Sequence, residues 1–301
     1  MNYAIGIDLG GSSVKTVAVA PDGRLIAQNV MSFAAEAEMD WAEKIRSVVA
    51  QLQASQPQFA AHIGLSAPGL AAKDGRSIAH MPGRLHGLEG LDWSAHLKTG
   101  FAVPVLNDAH AALLGEAWLG AARGFENVIM LTLGTGVGGA AIVDGRLLRG
   151  HIGRAGHVGH TTLDLDGPPD VCGTPGTLEL LIGNCTIAER TGNAWGTTHD
   201  LVAAHLAGDP EASHAWLRSV HALACGIASF VNILDPEAVV IGGGIARAGD
   251  ALFDPLRRLV AEFEWKSAGY QVKILPATLG EFAGAFGAAR NAMNLTAAPA
   301  G

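Results

Sequence analysis

Apolar residues near the start of the chain fall in short runs broken by glycine, and the same arrangement returns in the middle of the chain. The stretch "IGIDLGGSSVKTVAVAPDGRLI" opens the sequence, and "LTLGTGVGGAAIVDGRLL" occupies residues 131–148. With Asp8 set over Thr132, Leu9 falls on Leu133, Gly10 on Gly134, and Val17–Val19 on Ala141–Val143. A two-residue gap then brings Asp22-Gly23-Arg24-Leu25 onto Asp144-Gly145-Arg146-Leu147. Each copy predicts strand, glycine-rich turn, strand, Asp-Gly turn, strand, because Asp-Gly tolerates the backbone of tight hairpins. Two copies ~125 residues apart imply two related halves, each opening on a β-meander; the period is too long for a solenoid.

Between the copies the pattern changes period. Residues 36–54 predict a helix, with Trp41, Ile45, Val48, Val49 and Leu52 near helical spacing. "HIGLSAPG" predicts a short strand running into a turn, "VPVLND" another strand, and "AHAALLGEAWLGA" a helix. After the second copy, residues 149–177 are loop-rich, and "TLELLIG" opens a helical stretch. Residues 214–234 predict a long apolar helix, mostly core; "AVVIGGGIA" predicts strand then glycine turn, and "EFAGAFGAARNAMNL" a final helix. The tail "TAAPAG" is expected to fray. Strands alternating with helices give an α/β architecture.

Composition narrows the class. Of 301 residues 49% are apolar and 16% charged, which marks a globular chain with a sizeable core. The net charge of -8 argues against nucleic acid or an anionic membrane as the main partner. No apolar stretch of ~18 residues runs without a charge or glycine break, and "MNYAIGIDLGG" lacks the layout of a signal peptide. Cys172, Cys185 and Cys225 form no paired framework, so a reduced, cytoplasmic protein is expected.

The glycine turns are the first candidate chemistry. A strand ending in a turn of backbone N–H groups binds anions, because the dipoles converge. Asp8 ends its predicted strand just before Gly10, Gly11 and Ser12. A carboxylate beside phosphate-binding amides repels the phosphate unless a cation stands between, which suggests Mg²⁺ held by Asp8 directly or through water. Lys15 either adds positive charge there or is solvated on the hairpin. The pattern is neither a P-loop nor a Rossmann fingerprint, since the turn leads into a strand. A ligand-free hairpin is the alternative for one such turn; two copies and a third glycine run favour a nucleotide site.

Together "IGIDLGGSSVKTVAV", "LTLGTGVGGAAIVDGRL" and "AVVIGGGIA" resemble the phosphate-1, phosphate-2 and adenosine segments of the sugar-kinase, hexokinase, Hsp70 and actin superfamily. "VPVLNDAHAALLGEAWLGAARG" and "GRAGHVGHTTLDLDGPPDVCGTPGTLEL" narrow the resemblance to the ROK family of sugar kinases and repressors, from Ile5 to about Asn291. The resemblance implies an α/β fold of two RNase H-like (actin-like ATPase) domains with an interdomain cleft that closes on substrate. It implies an N-terminal sugar-binding domain, 1–108, rejoined by a C-terminal helix, 281–301, and an ATP-binding domain, 109–280.

By the same resemblance Asp108 is the base that accepts a sugar hydroxyl's proton, and Asn107 hydrogen-bonds a neighbouring hydroxyl. Read from the residues alone, Asn107-Asp108 is a helix N-cap, and both roles are compatible. Gly69, in "SAPG", and His80, in "HMPG", match loops that border the sugar, with His80 where the family usually carries Asn. His157 stands where the family carries Glu; His160 and Glu179 match sugar-binding positions. The implied ATP and phosphate contacts are Asp8, Gly10, Gly11, Ser12, Lys15, Thr132, Gly134, Thr135, Gly136, Gly243, Gly244 and Ile245. Many relatives hold a structural zinc through a His and three Cys. Here Asp170 and Thr177 stand at two of those Cys positions and only His160 and Cys172 are kept, so zinc is not expected. His160 is then expected to take Asp170 as partner.

The function implied is ATP-dependent phosphorylation of a sugar hydroxyl, the 6-OH of a hexose or derivative. A polyol or cyclitol kinase and a catalytically lapsed sugar-binding protein are the alternatives. A repressor is disfavoured, because the first phosphate segment begins by residue 5, leaving no DNA-binding domain before it. A homodimer is expected from relatives.

Overall fold

The structure is a computed structural model and describes residues 2–34, 39–56, 60–81, 83 and 85–297. Each of the two repeated stretches opens one mixed sheet. The first contains β1 (Ala4–Leu9), β2 (Ser13–Val19), β3 (Leu25–Ser32) and β4 (His62–Ala67). After a small ribbon of β5 (Leu70–Ala71) and β6 (Ile78–His80) comes its last strand, β7 (Val105–Asn107). The second sheet contains β8 (Val128–Leu133), β9 (Val137–Val143), β10 (Arg146–Leu147), β11 (Ala238–Gly242) and β12 (Lys273–Pro276). The strand orders, β3-β2-β1-β4-β7 and β10-β9-β8-β11-β12, are the same. In both, the first three strands in sequence pair antiparallel and the last two join parallel.

The registers correct the sequence alignment by one residue. Gly6 pairs with Val17 and Met130 with Ala140, so the counterpart of Val17 is Ala140, not Ala141. The two-residue gap is two separate one-residue gaps. Leu9 pairs with Val14 across the first glycine turn but Leu133 with Val137 across the second, which is one residue shorter. The other gap falls in the Asp-Gly turn: Val19 pairs with Leu25 and Ile142 with Leu147, so the first turn is one residue longer than the second.

The helices are α1 (Asp40–Ala54), α2 (Trp93–Leu97), α3 (Asp108–Leu119), α4 (Leu178–Ile182), α5 (Ile187–Arg190), α6 (Thr198–Leu206), α7 (Pro210–Leu234), α8 (Asp250–Phe263) and α9 (Ala283–Ala297). The predicted start of the first helix at 36, the Pro82 of "HMPG" and the tail beyond 297 lie outside the described residues. Side-chain oxygens cap α3 (Asn107), α6 (Thr197) and α7 (Asp209), and Pro210 stands in the first turn of α7, where a missing N–H costs nothing.

The chain divides into two units. One comprises Met1–Gly124, Arg149–Ala155 and Thr278–Gly301. On one face of its sheet Ile5, Ile7, Ile63 and Leu65 pack with Trp41, Ile45 and Val48 of α1. The other face packs against α9 with almost no space between backbones. A Cβ on Gly6 would lie 1.8 Å from the carbonyl oxygen of Ala285, and one on Gly64 2.1 Å from that of Ala288. The same holds where α9 meets α3: a Cβ on Gly287 would lie 1.7 Å from the carbonyl oxygen of Ala111. Buried Glu116 fixes the chain's return into this unit, accepting hydrogen bonds from the N–H groups of Ala121, Thr278 and Leu279 and from the Thr278 hydroxyl.

The other unit comprises Phe125–Leu148 and Gly156–Ala277. Ile129, Leu131, Val239 and Ile241 of its sheet meet Trp216, Leu223 and Ile227 of α7, with Leu252 and Leu256 of α8. By length and composition α7 would pass for a membrane span. One face of it is core, with Trp216, Val220, Leu223 and Ile227 all fully buried.

Candidate active site

Three parallel strands of the first unit end together. Asp8 ends its run on β1 paired in register with Ser66 of β4, and Ala67 is paired with Asn107 of β7. The carboxyl ends of parallel strands are where open α/β sheets bind ligands. The Ser66 hydroxyl donates to Asp8 Oδ1 at 2.7 Å. Burial pushes the Asp8 carboxyl up to about 6; the Ser66 bond opposes this, the negative charge of Asp108 adds to it, and Lys15 opposes it. Gly284 of α9 leaves the room this carboxylate occupies, since a Cβ there would stand 2.7 Å from it. Lys15, opposite Asp8 in register, reaches to 4.0 Å from Glu281.

Asp108 is the exposed first residue of α3, and its Oδ1 accepts from the N–H of Ala109 at 2.8 Å. Asn107 does act as the cap: its Oδ1 accepts from the N–H groups of Ala109 and His110 at 3.0 and 3.4 Å. Its amide nitrogen donates to the Gly69 carbonyl at 2.9 Å, which ties the "SAPG" turn to the start of α3. Gly69 has a φ of 96°, and a Cβ there would meet the His80 carbonyl oxygen at 2.6 Å. The His80 side chain is exposed and stands 3.6 Å from Glu89. Before Ser12 in the turn, the N–H of Gly10 is already used, donating to the Ser13 carbonyl at 2.8 Å. The amides that follow it, from Gly11 onward, are therefore the ones a phosphate could take.

The second unit assembles a different kind of site. Thr132, the counterpart of Asp8, is paired with Gly138 and Gly242, so its neighbours bring no side chains. The Gly134–Gly136 turn closes on itself by an N–H of Gly134 donating to the Gly136 carbonyl at 2.9 Å. It is braced from outside: the carbonyls of Gly134 and Thr135 accept from the N–H groups of Asn184 and Cys185. Glu179, in the first turn of α4, accepts from the Val137 N–H at 2.9 Å. A Cβ on Gly136 would fall 2.1 Å from that carboxylate.

Next to this turn lies a cavity of about 660 Å³, within the range of small-molecule sites. It brings together Gly134, Thr135, Gly244 and Ile245 from the sequence reading. Gly243 does not line it; with a φ of 89° it turns the chain hard against the Leu133 carbonyl, 2.2 Å from where a Cβ would stand. The sequence reading missed the opposite wall, which is Thr198, Val202, Ala203 and Leu206 of α6 with Asn184 and Arg247. The sequence marks the start of that helix but not its cavity-facing side: Thr197 Oγ1 caps α6, accepting from the Asp200 N–H and donating to the Asp200 carboxylate.

His157 precedes the short 3-10 turn Val158–His160. His160 Nδ1 stands 2.6 Å from Asp170 Oδ2, the expected partnership. Burial pushes the Asp170 carboxyl up, but hydrogen bonds from His160 and the N–H groups of Thr174 and Cys172 outweigh it and hold it below the usual range. His160, Asp170 and Cys172 gather closely enough to be tested as metal ligands. They do not fit the zinc of the family pattern. Two ligands of one tetrahedral zinc lie about 3.3 Å apart, whereas Nδ1 and Oδ2 are in direct hydrogen-bond contact at 2.6 Å. Asp170 meets Nδ1 while Cys172 Sγ lies 3.8 Å from Nε2, so the donors face different ring nitrogens. At the remaining position Thr177 presents a buried hydroxyl with no hydrogen-bond partner among the described residues.

Two repeated α/β units of RNase H-like kind, one ending in carboxylates and one in a glycine-lined cavity, define the class: an actin-like ATPase fold. Comparison with known proteins gives the family. The model of the ROK family matches residues 4–294. A glucokinase of Thermotoga maritima is 33% identical over 305 residues, covering 95% of each chain. The crystal structure of a ROK hexokinase from Thermus thermophilus matches with a TM-score of 0.83 and 31% identity, over 98% of this chain and 99% of that one. A ROK family glucokinase from Streptomyces griseus in complex with glucose and AMPPNP matches with a TM-score of 0.80 and 27% identity, over 97% of this chain and 100% of that one. The chain belongs to the ROK family.

Proposed function

We propose that this ROK protein, an ATP-dependent carbohydrate kinase, phosphorylates a hydroxyl of a hexose or hexose derivative, the 6-OH, with Asp108 as the base. The observation that carries this reading is the exposed Asp108 carboxylate at the carboxyl end of β7, in the same parallel-strand edge as Asp8. An alcohol is a weak nucleophile near neutral pH. As its oxygen bonds to the γ-phosphorus, its proton passes to Asp108, and the bond from that phosphorus to the bridging oxygen of ADP breaks. Asn107 has one amide hydrogen left after its bond to Gly69, which serves to orient a neighbouring hydroxyl. Gly69 and His80 border the sugar, and His157, His160 and Glu179 read its other hydroxyls.

On the nucleotide side, the apolar wall of α6 and Ile245 take the adenosine, and the amides of Thr135 and Gly136 take phosphate oxygens. Gly11 and Ser12 do the same from the first unit. The donor set at Asp8 fits Mg²⁺, because two carboxylates in one another's field and a carboxyl raised by burial both favour a divalent cation. When bound, that ion would supply charge neutralisation for the phosphate oxygens. The first unit is the sugar-binding and lid domain and the second the ATP-binding domain, in a cytoplasmic homodimer with no nucleic-acid partner.

The test is ADP release over a panel of hexoses, amino sugars, N-acetylmannosamine and inositol. Turnover with one hexose or derivative, and product phosphorylated on its 6-oxygen, is expected. Turnover with inositol alone would favour the cyclitol reading, and absence of ADP release with every acceptor in the panel would favour the lapsed binding protein.

A further inference from the structure

The loop from Thr161 to Leu178 is closed around one side chain. Asp170 has a fully buried carboxylate whose Oδ1 accepts from the N–H groups of Cys172 at 2.8 Å and Thr174 at 2.9 Å. Its Oδ2 takes the His160 ring at 2.6 Å. Its own backbone completes the turn: the Asp170 N–H donates to the Thr174 carbonyl, and the Gly173 N–H to the Asp170 carbonyl, both at 2.9 Å. A buried anion that accepts three hydrogen bonds ties together the segments that a shared metal ion would otherwise join.

We infer that Asp170 replaces a metal ion as the clamp of this loop and, in doing so, reverses the hydrogen-bonding polarity of His160. A carboxylate only accepts, so it holds the ring proton on Nδ1 and leaves Nε2 bare, as an acceptor. A metal ion at Nδ1 would do the opposite: it takes the lone pair there and leaves the proton on Nε2, as a donor. Among the described residues the one group hydrogen-bonded to Nε2 is the Cys172 thiol at 3.8 Å, a weak donor that an alcohol would outcompete. The chain also carries His157 at the position where the family pattern it resembles has Glu, which removes an obligate acceptor three residues away. The two changes offset each other: one acceptor is lost at position 157 and one gained at position 160. The polarity of the His160 ring bears on the acceptor sugar only if the kinase reading holds; the clamp itself does not depend on that reading.

Thr177 supports the replacement from the other side. Its buried hydroxyl, without a hydrogen-bond partner among the described residues, is a cost at the position where the zinc-binding family pattern has a Cys. Thr177→Val should therefore leave the melting temperature unchanged or raise it, whereas a hydroxyl bound to metal could not be removed without loss.

The experiment uses the full chain expressed in zinc-supplemented medium. Elemental analysis should find no stoichiometric zinc, and EDTA should leave the melting temperature where it was. Long-range ¹H–¹⁵N spectra, with His160→Gln to assign the ring, should show the His160 proton on Nδ1 and a bare Nε2. Asp170→Asn should lower the melting temperature by several degrees with or without EDTA. Asp170→Cys combined with Thr177→Cys should take up one zinc per chain and become sensitive to EDTA. Stoichiometric zinc in the natural chain, a proton on Nε2 in place of Nδ1 or on both nitrogens, or a double variant that takes no zinc would overturn the inference. None of these readouts uses turnover, so an inactive protein would overturn the kinase reading and leave the clamp standing.

Discussion

The two sheets share strand order and register, yet equivalent positions carry opposite solutions. Gly6 pairs with Gly64 in the first sheet, and at the same places in the second Met130 pairs with Val240. The first pair lets a helix backbone lie directly on the strands; the second fills the space with side chains. The strand ends differ in the same way but with reversed sign. Asp8 and Ser66 put side-chain chemistry at the end of the first sheet, where the second has Thr132 and Gly242. One duplicated scaffold has thus separated two tasks. Where the proposed ligand contact is a carboxylate, the helix behind it is packed hard against the strands. Where the proposed contact is backbone amide, glycine lies at the strand end itself and the side-chain packing lies behind it.

The largest effect should come from adding volume to the first sheet. Gly6→Val places carbon within the Ala285 backbone and is expected to prevent folding, read as loss of a cooperative melt. Met130→Ala, at the equivalent position, only opens a cavity and should cost about 2–4 kcal/mol by denaturant titration. Similar losses from both would break the comparison. Next is Gly136→Ala in the second sheet's turn. Its Cβ displaces the Glu179 carboxylate. Sugar KM should rise by about 10-fold or more while the melt changes little, because one oriented hydrogen bond to a charged group is worth about 1.5–3 kcal/mol.

The smallest effect, and the one of opposite sign, is expected at Asp8. Its carboxyl is pushed up to about 6 from an ordinary 3.8, so the folded state holds a proton that the unfolded state releases between these values. Stability therefore falls as pH rises through that window and stays lower above it. Asp8→Asn does not titrate, and its side-chain oxygen can still accept from Ser66. It should stabilise the ligand-free protein by about 1–3 kcal/mol above that window, with a flatter dependence of melting temperature on pH, while turnover is lost. A variant less stable than the parent near neutral pH would remove the argument that this end of the sheet is held under electrostatic cost.

Much of this was readable in the sequence, and the misses have physical reasons. The repeat was visible because glycine turns and Asp-Gly pairs are local, but its alignment slipped by one residue because a run of glycines does not mark where the shorter second turn drops a residue. Asn107 was legible as a helix cap because the strand before it and the helix after it are plain. The partnership of His160 with Asp170 followed from chemistry, since an imidazole without its metal needs an acceptor. The α6 wall of the cavity was not legible as a binding surface. Val202, Ala203 and Leu206 are ordinary helix residues, and only the fold decides which of them faces a ligand. Likewise α8 and β12 went unread, although Leu252, Phe253, Leu256 and Val260 repeat at helical spacing.

The most direct test of the central claim is a paired measurement on Asp108→Asn: affinity for nucleotide and for the acceptor sugar by calorimetry, and kcat by ADP release. The account predicts both affinities within a few-fold of the parent and kcat lower by about 10²–10⁴. Retained turnover, or turnover lost only because neither ligand binds, would contradict it.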